Sequence, residues 1–177
     1  MRKMISHAPR TAVEVFKLLP EGVHCQVINN AIYMSPAPSF ENQDVVLEIA
    51  SQIRFFISKK SLGKCVASPV DVFLDEYNAF QPDIIFLAAK NSIAEVKNGK
   101  VYGAPDIVIE VLSPGNAEDD KVKKRKIYEA CGVKEYFIVH PTLKEVVSYY
   151  LIDGKFEQGS KRKAQINSRL LKKIFRF

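Results

Sequence analysis

Tryptophan is absent from the 177 residues, and cysteine occurs only three times. Cys25, Cys65 and Cys131 are odd in number and widely spaced, with no CxxC pair, which excludes a disulfide framework and a zinc knuckle; small buried or half-buried residues are expected there. Long hydrophobic runs are missing as well. The longest, Ile84 to Ala89, falls far short of the ~20 residues that a bilayer span needs. Arg2 and Lys3 are followed by a stretch that Ser6, His7 and Pro9 interrupt, so the apolar segment of a signal peptide is lacking and a cytoplasmic location is expected. His7, His24 and His140 show no ligand spacing. Neither a Walker loop nor a GxGxxG fingerprint occurs, which leaves nucleotide-dependent chemistry unsupported, and Ser113 lacks the GxSxG elbow of a serine hydrolase.

What is present is the composition of an ordinary globular chain, with 47% hydrophobic and 26% charged residues. The length suits one domain over residues 1–177, large enough for a core without staples. Twenty-six Lys and Arg against twenty Asp and Glu leave a net charge of +6. A basic protein is drawn to polyanions, but the charge becomes informative only where it gathers beside a site.

Pattern along the chain predicts an α/β fold. A helix over 11–19 stops at Pro20-Glu21-Gly22, and short strands over 23–28 and 31–34 meet at Asn29-Asn30, since Asn tolerates a left-handed turn. Ser39 can cap a helix over 41–60, where Val45, Val46, Ile49, Ile53, Phe56 and Ile57 form an apolar stripe that Gly63 ends. Strands are expected over 65–74 and 82–87, and a short helix or turn with loop over 91–103. The run over 106–112 reads as a strand buried on both faces. Glu118-Asp119-Asp120 opens a helix that reaches Cys131 and stops at Gly132. A strand over 134–140 and a terminal hairpin around Asp153-Gly154 complete a mixed sheet flanked by helices.

Two carboxylates stand out. Glu110 lies inside Asp-Ile-Val-Ile-Glu-Val-Leu, where a lone charge would lose its hydration, and Asp83 opens an apolar strand directly after Pro82. If the two strands are neighbours, the acids converge at one end of the sheet and suit Mg²⁺ or Mn²⁺, which favour oxygen ligands and keep waters. The same residues also fit a turn-forming Asp and a Glu paired with a core-edge Lys. Asp120, Lys124 and Tyr128 are spaced four apart, so they share one face of the following helix, and Lys124 could reach back toward the acids. Lys121, Lys123, Arg125 and Lys126 make this the densest basic run, a candidate phosphate-facing surface. A solvated helix face with an Asp120–Lys124 ion pair is the alternative.

Pro82-Asp83, Gly103-Ala104-Pro105-Asp106, Glu110-Val111-Leu112-Ser113-Pro114, the Asp120, Lys124, Tyr128 spacing and Gly132-Val133-Lys134-Glu135-Tyr136-Phe137 with Pro141 form a collinear series. Together with Ser35-Pro36 and Asp153-Gly154 it covers nearly the whole chain and closely resembles the bacterial putative restriction-endonuclease family, abundant in cyanobacteria, of the PD-(D/E)xK nuclease superfamily. The resemblance implies a restriction-endonuclease-like mixed β-sheet flanked by helices and a Mg²⁺- or Mn²⁺-dependent endonuclease acting on DNA. Asp83 and Glu110 match the signature acids. The position two after the Glu is Leu112, which carries no ammonium group, and Lys124 matches the lysine that resembles one moved to the next helix. Gln26 and Asn42 stand where the family usually has Glu and His.

On this reading Asp83, Glu110 and the Val111 carbonyl hold the metal, and Lys124 orients water or stabilises the transition state. Tyr128, Lys121, Arg125, Asn42 and Ser113 are the expected substrate contacts. A catalytically weakened nucleic-acid-binding module of the same fold is the rival expectation, motivated by the neutral Gln26 and by Asn42. A homodimer would let two copies address both strands of a duplex.

Overall fold

In the computed structural model, residues 8–113 and 118–177 are described, without the side chains of 118–121. The chain opens with α1 (Ala12–Phe16), capped by the Thr11 side chain, which accepts from the Glu14 amide. β1 (Cys25–Ile28) and β2 (Ala31–Met34) form a hairpin whose Asn29 and Asn30 both take positive φ, as the turn chemistry predicts. α2 (Phe40–Ser58) follows its Ser39 cap and buries Val45, Val46, Ile49, Ile53 and Ile57 along one stripe.

Gly63 does not cap this helix. It begins β3 (Gly63–Ala67), where a Cβ would lie 2.0 Å from the Leu87 carbonyl oxygen, so only glycine permits the approach. The single strand expected over 65–74 is two: the chain leaves β3 and enters β4 (Val72–Phe73) in a different sheet. β5 (Ala79–Phe80) returns beside β4 and leads into β6 (Ile84–Ala88). The segment 91–103 is not helical. It forms the hairpin β7 (Glu95–Lys97) and β8 (Lys100–Tyr102), with Asn98 and Gly99 at positive φ in its turn.

β9 (Ile107–Val111), α3 (Glu118–Cys131) and β10 (Glu135–Val139) are a strand-helix-strand crossover, and β9 and β10 pair in parallel. Gly132 at positive φ ends α3, with its amide and that of Val133 both donating to the Tyr128 carbonyl. The hairpin of β11 (Glu145–Ile152) and β12 (Lys155–Gln158) is not terminal: β13 (Arg162–Lys163) pairs with β11, and β14 (Gln165–Ser168) pairs with β15 (Lys173–Arg176).

Among the described residues the larger sheet runs β12-β11-β10-β9-β6-β3, and the smaller runs β2-β1-β5-β4-β8-β7. The period of two divides the central strands between two cores. Ile84, Phe86, Ile107, Ile109, Phe137 and Val139 face α2 and the C-terminal hairpin. Ile85, Leu87, Val108, Tyr136 and Ile138 face α3 and the smaller sheet. No helix among the described residues is long and apolar enough to cross a membrane.

Candidate active site

β6 and β9 are antiparallel neighbours, with Ile84 opposite Ile109 and Ile85 opposite Val108. Extending that register one step sets Asp83 across from Glu110, and the same alternation turns both toward the α3 side of the sheet. Asp83 Oδ2 accepts the Val111 amide at 2.7 Å. Glu110 Oε1 accepts from Lys124 Nζ at 3.0 Å and from the Tyr128 hydroxyl at 2.8 Å. Lys124 and Tyr128 lie one helical turn apart, so a single face of α3 presents both donors to one carboxylate oxygen. Glu110 is a partner of Lys124, and the pair is nearly shielded, with side-chain exposures of 12% for Lys124 and 13% for Glu110; the Asp120 side chain, named above as the alternative partner, lies outside the described residues. Lys124 Nζ also sits 5.6 Å from the centroid of the Phe80 ring, an apolar wall for the site.

The electrostatics follow from this burial. Desolvation pushes the Asp83 carboxyl up to about 7; the Glu110 charge adds to the rise, while the Val111 amide and Lys124 oppose it. Burial and the Glu110 charge likewise hold the Tyr128 hydroxyl well above its ordinary range, so it stays a proton donor. Among the described residues no hydrogen bond engages Asp83 Oδ1 or Glu110 Oε2. Among the described residues each acid thus has one oxygen fixed by the protein and one uncommitted. This all-oxygen pair fits a hard divalent cation, with the nearby Val111 carbonyl available as a third donor. Among the described residues no group of three or more His, Cys, Asp or Glu could hold a metal.

The remaining candidates fall into different places. Tyr128 is 0% exposed and meets Glu110, not solvent, so the phosphate contact expected of it gives way to a hold on the acid. Asn42, at 3% exposure, donates its amide to Ser113 Oγ at 2.9 Å and to the Leu112 and Val111 carbonyls at 3.2 and 3.4 Å. It ties the start of α2 to the end of β9, and Ser113 is its partner. Arg125 packs on Tyr149, with its guanidinium carbon 5.2 Å from the ring centroid. The side chain of Lys121 lies outside the described residues. Gln26 stands on β1 opposite Tyr33. The role of Phe80 as a wall was not legible in the sequence, because β5 is two residues long and carries no alternation signal.

The profile of the family described as Uma2, putative restriction endonuclease, matches residues 12–174. No curated protein matches the chain. Among solved structures, a crystal structure of a putative nuclease belonging to DUF820 from Anabaena variabilis is similar over 92% of this chain and 91% of that one, with a TM-score of 0.74 and 20% identity. At that identity the likeness establishes the fold: a mixed α/β, restriction-endonuclease-like architecture. With nearly all of its length matched, the chain belongs to the Uma2 putative restriction endonuclease family.

Proposed function

We propose that this protein is a metal-dependent endonuclease that hydrolyses phosphodiester bonds of DNA. The observation that carries the reading is the meeting of Asp83 and Glu110 on adjacent strands, one uncommitted oxygen each, beside the ammonium group of Lys124. Asp83 Oδ1, Glu110 Oε2 and the Val111 carbonyl would hold Mg²⁺ or Mn²⁺. A cation bound there supplies a Lewis acid and a water acidic enough to act as nucleophile near neutral pH.

The chain's own groups do the rest. The Val111 amide fixes the rotamer of Asp83, and Tyr128 fixes that of Glu110. Lys124 brings positive charge to the point where negative charge grows on the phosphate oxygens, a preorganised interaction that gains strength in a site screened from water. Asn42 keeps the segment after β9, and with it the Val111 carbonyl, in place.

The test is cleavage of plasmid DNA by the purified protein with Mg²⁺ or Mn²⁺ and with chelator. Asp83→Ala and Glu110→Ala are each expected to lower the rate by at least ~100-fold, the loss that follows removal of a metal ligand's electrostatic contribution. Equal cleavage by wild type and both variants would mean a contaminant and end the assignment. The second reading, a nucleic-acid-binding module of weakened catalysis, is favoured by the neutral Gln26 and by Asn42. It predicts a salt-sensitive gel shift that survives Glu110→Ala, with no heat of metal binding. Self-association that places two such sites on one duplex belongs to the first reading, and sedimentation with a duplex tests it.

A further inference from the structure

The last nineteen residues hold seven of the chain's Lys and Arg and no Asp or Glu. They account for the whole of the +6 net charge, and the remainder of the chain is close to neutral. This charge is not beside Asp83 and Glu110. The turn between β14 and β15, with Arg169 and Lys172 and followed by Lys173, lies at the other end of the central strands, where the Leu170 amide donates to Glu135 at the start of β10. There it meets the last turn of α2 and the end of β6. From Asp83 at one end of β6 to Ala88 at the other is about 17 Å at ~3.3 Å per residue.

Between these elements runs an open groove of about 710 Å³. Its floor is apolar, with the half-buried Phe56 above the buried Phe86 and Leu171, and its rim carries Lys60, Lys90 and Lys172. No acid lines it. Among the described residues no ion pair engages any of the three lysines. Lys60 and Lys173 stand 4.6 and 5.9 Å from the centroid of the Phe56 ring, so cations gather around an aromatic surface.

We propose that this groove is a second nucleic-acid contact that takes an unpaired strand, with phosphates on Lys60, Lys90 and Lys172 and bases over the apolar floor. The inference rests on the nuclease reading and names the form of the polymer held away from the chemistry. A cationic rim beside a partly exposed aromatic ring suits a single strand, because every base offers a π face while the backbone needs charge. A duplex keeps its bases stacked inside and leaves an apolar floor without a partner. A bilayer surface cannot enter a concave groove.

Anisotropy of a labelled oligothymidylate, titrated with salt in the presence of chelator, tests this. For single strands the slope of log affinity against log salt is about 0.7 per phosphate neutralised, so Lys60→Ala/Lys90→Ala/Lys172→Ala should flatten it by about 2. The charge-matched variant Lys161→Ala/Arg162→Ala/Lys163→Ala, on exposed residues around β13, should keep the wild-type slope. No binding by the wild type, an unchanged slope in the groove variant, or an equal loss in the control would overturn the proposal. So would a duplex of the same length whose binding falls as much. Binding is read with the metal chelated, so groove-dependent binding by a protein that cuts no DNA when Mg²⁺ or Mn²⁺ is supplied would sink the hydrolase reading and leave this one standing.

Discussion

At the scale of single residues, Glu110 shows how a carboxylate is held inside a sheet. It sits in an otherwise apolar strand and is held by one ammonium and one hydroxyl from the same helix face. Removing the hydroxyl alone isolates its contribution. Tyr128→Phe keeps the ring packed between Phe80 and Tyr136 and deletes only the bond to Oε1. A hydrogen bond to a charged group contributes ~1.5–3 kcal/mol, so denaturant titration should show a loss of that order. Turnover in Mg²⁺ should fall as well, since Glu110 can then rotate about the Lys124 contact; full activity in Tyr128→Phe would remove the tyrosine from the positioning role.

At the scale of elements, two contacts govern how the strands seat. Gly63 lets β3 approach β6 more closely than a side chain permits, and Gly63→Ala is expected to cost ~1–3 kcal/mol, as overpacking against backbone does. A lower midpoint in urea with an unchanged slope is the expected reading. Glu135, at the start of β10, is 2% exposed and accepts from Ser168 Oγ at 2.6 Å and from the Leu170 amide at 2.7 Å, so it anchors the β14–β15 hairpin. Burial raises its pKa, and the Ser168 and backbone donors only partly offset the rise. A carboxyl that binds its proton more tightly when folded favours the native state below the unfolded pKa, and that contribution is lost as pH climbs through the raised folded value. Glu135→Gln, which puts a neutral amide of the same shape in place of the carboxyl, should therefore gain on wild type as pH rises through this window. Melting temperatures of the two across pH 4 to 8 measure it, and parallel curves would place the proton elsewhere.

At the scale of the whole molecule, a ligand that binds only the folded state raises its stability by mass action, by ~2.7 kcal/mol at a hundredfold excess over Kd. Mn²⁺ should thus raise the melting temperature of the wild type and leave Asp83→Ala unmoved. A shift shared by both would locate the ion outside the site. Charge is distributed at the same scale. The basic run of α3 looks in sequence like a phosphate-facing strip, yet Lys124 is committed to Glu110 and Arg125 to Tyr149. The net excess of positive charge gathers on the C-terminal segment.

Local chemistry was readable in the chain itself. The Ser39 cap, the stripe on α2, the Asn29-Asn30 turn and Gly132 after α3 each depend on neighbours within a few residues, which is why they follow from the order of amino acids. The i, i+4 spacing of Lys124 and Tyr128 likewise puts them on one helix face by sequence alone. The β7–β8 hairpin carried a comparable signal in Asn98-Gly99, hidden because its strands are three residues long and mostly polar. Other features are pairings at long sequence separation. That β4 leaves the sheet of β3, that β6 lies against β9 so Asp83 meets Glu110, and that Asn42 reaches Ser113 depend on strand register and on which face each core fills. The apolar residues of 164–177 cap the core beside α2, and only the closed fold decides this, because their buried partners are residues that sequence neighbours never touch.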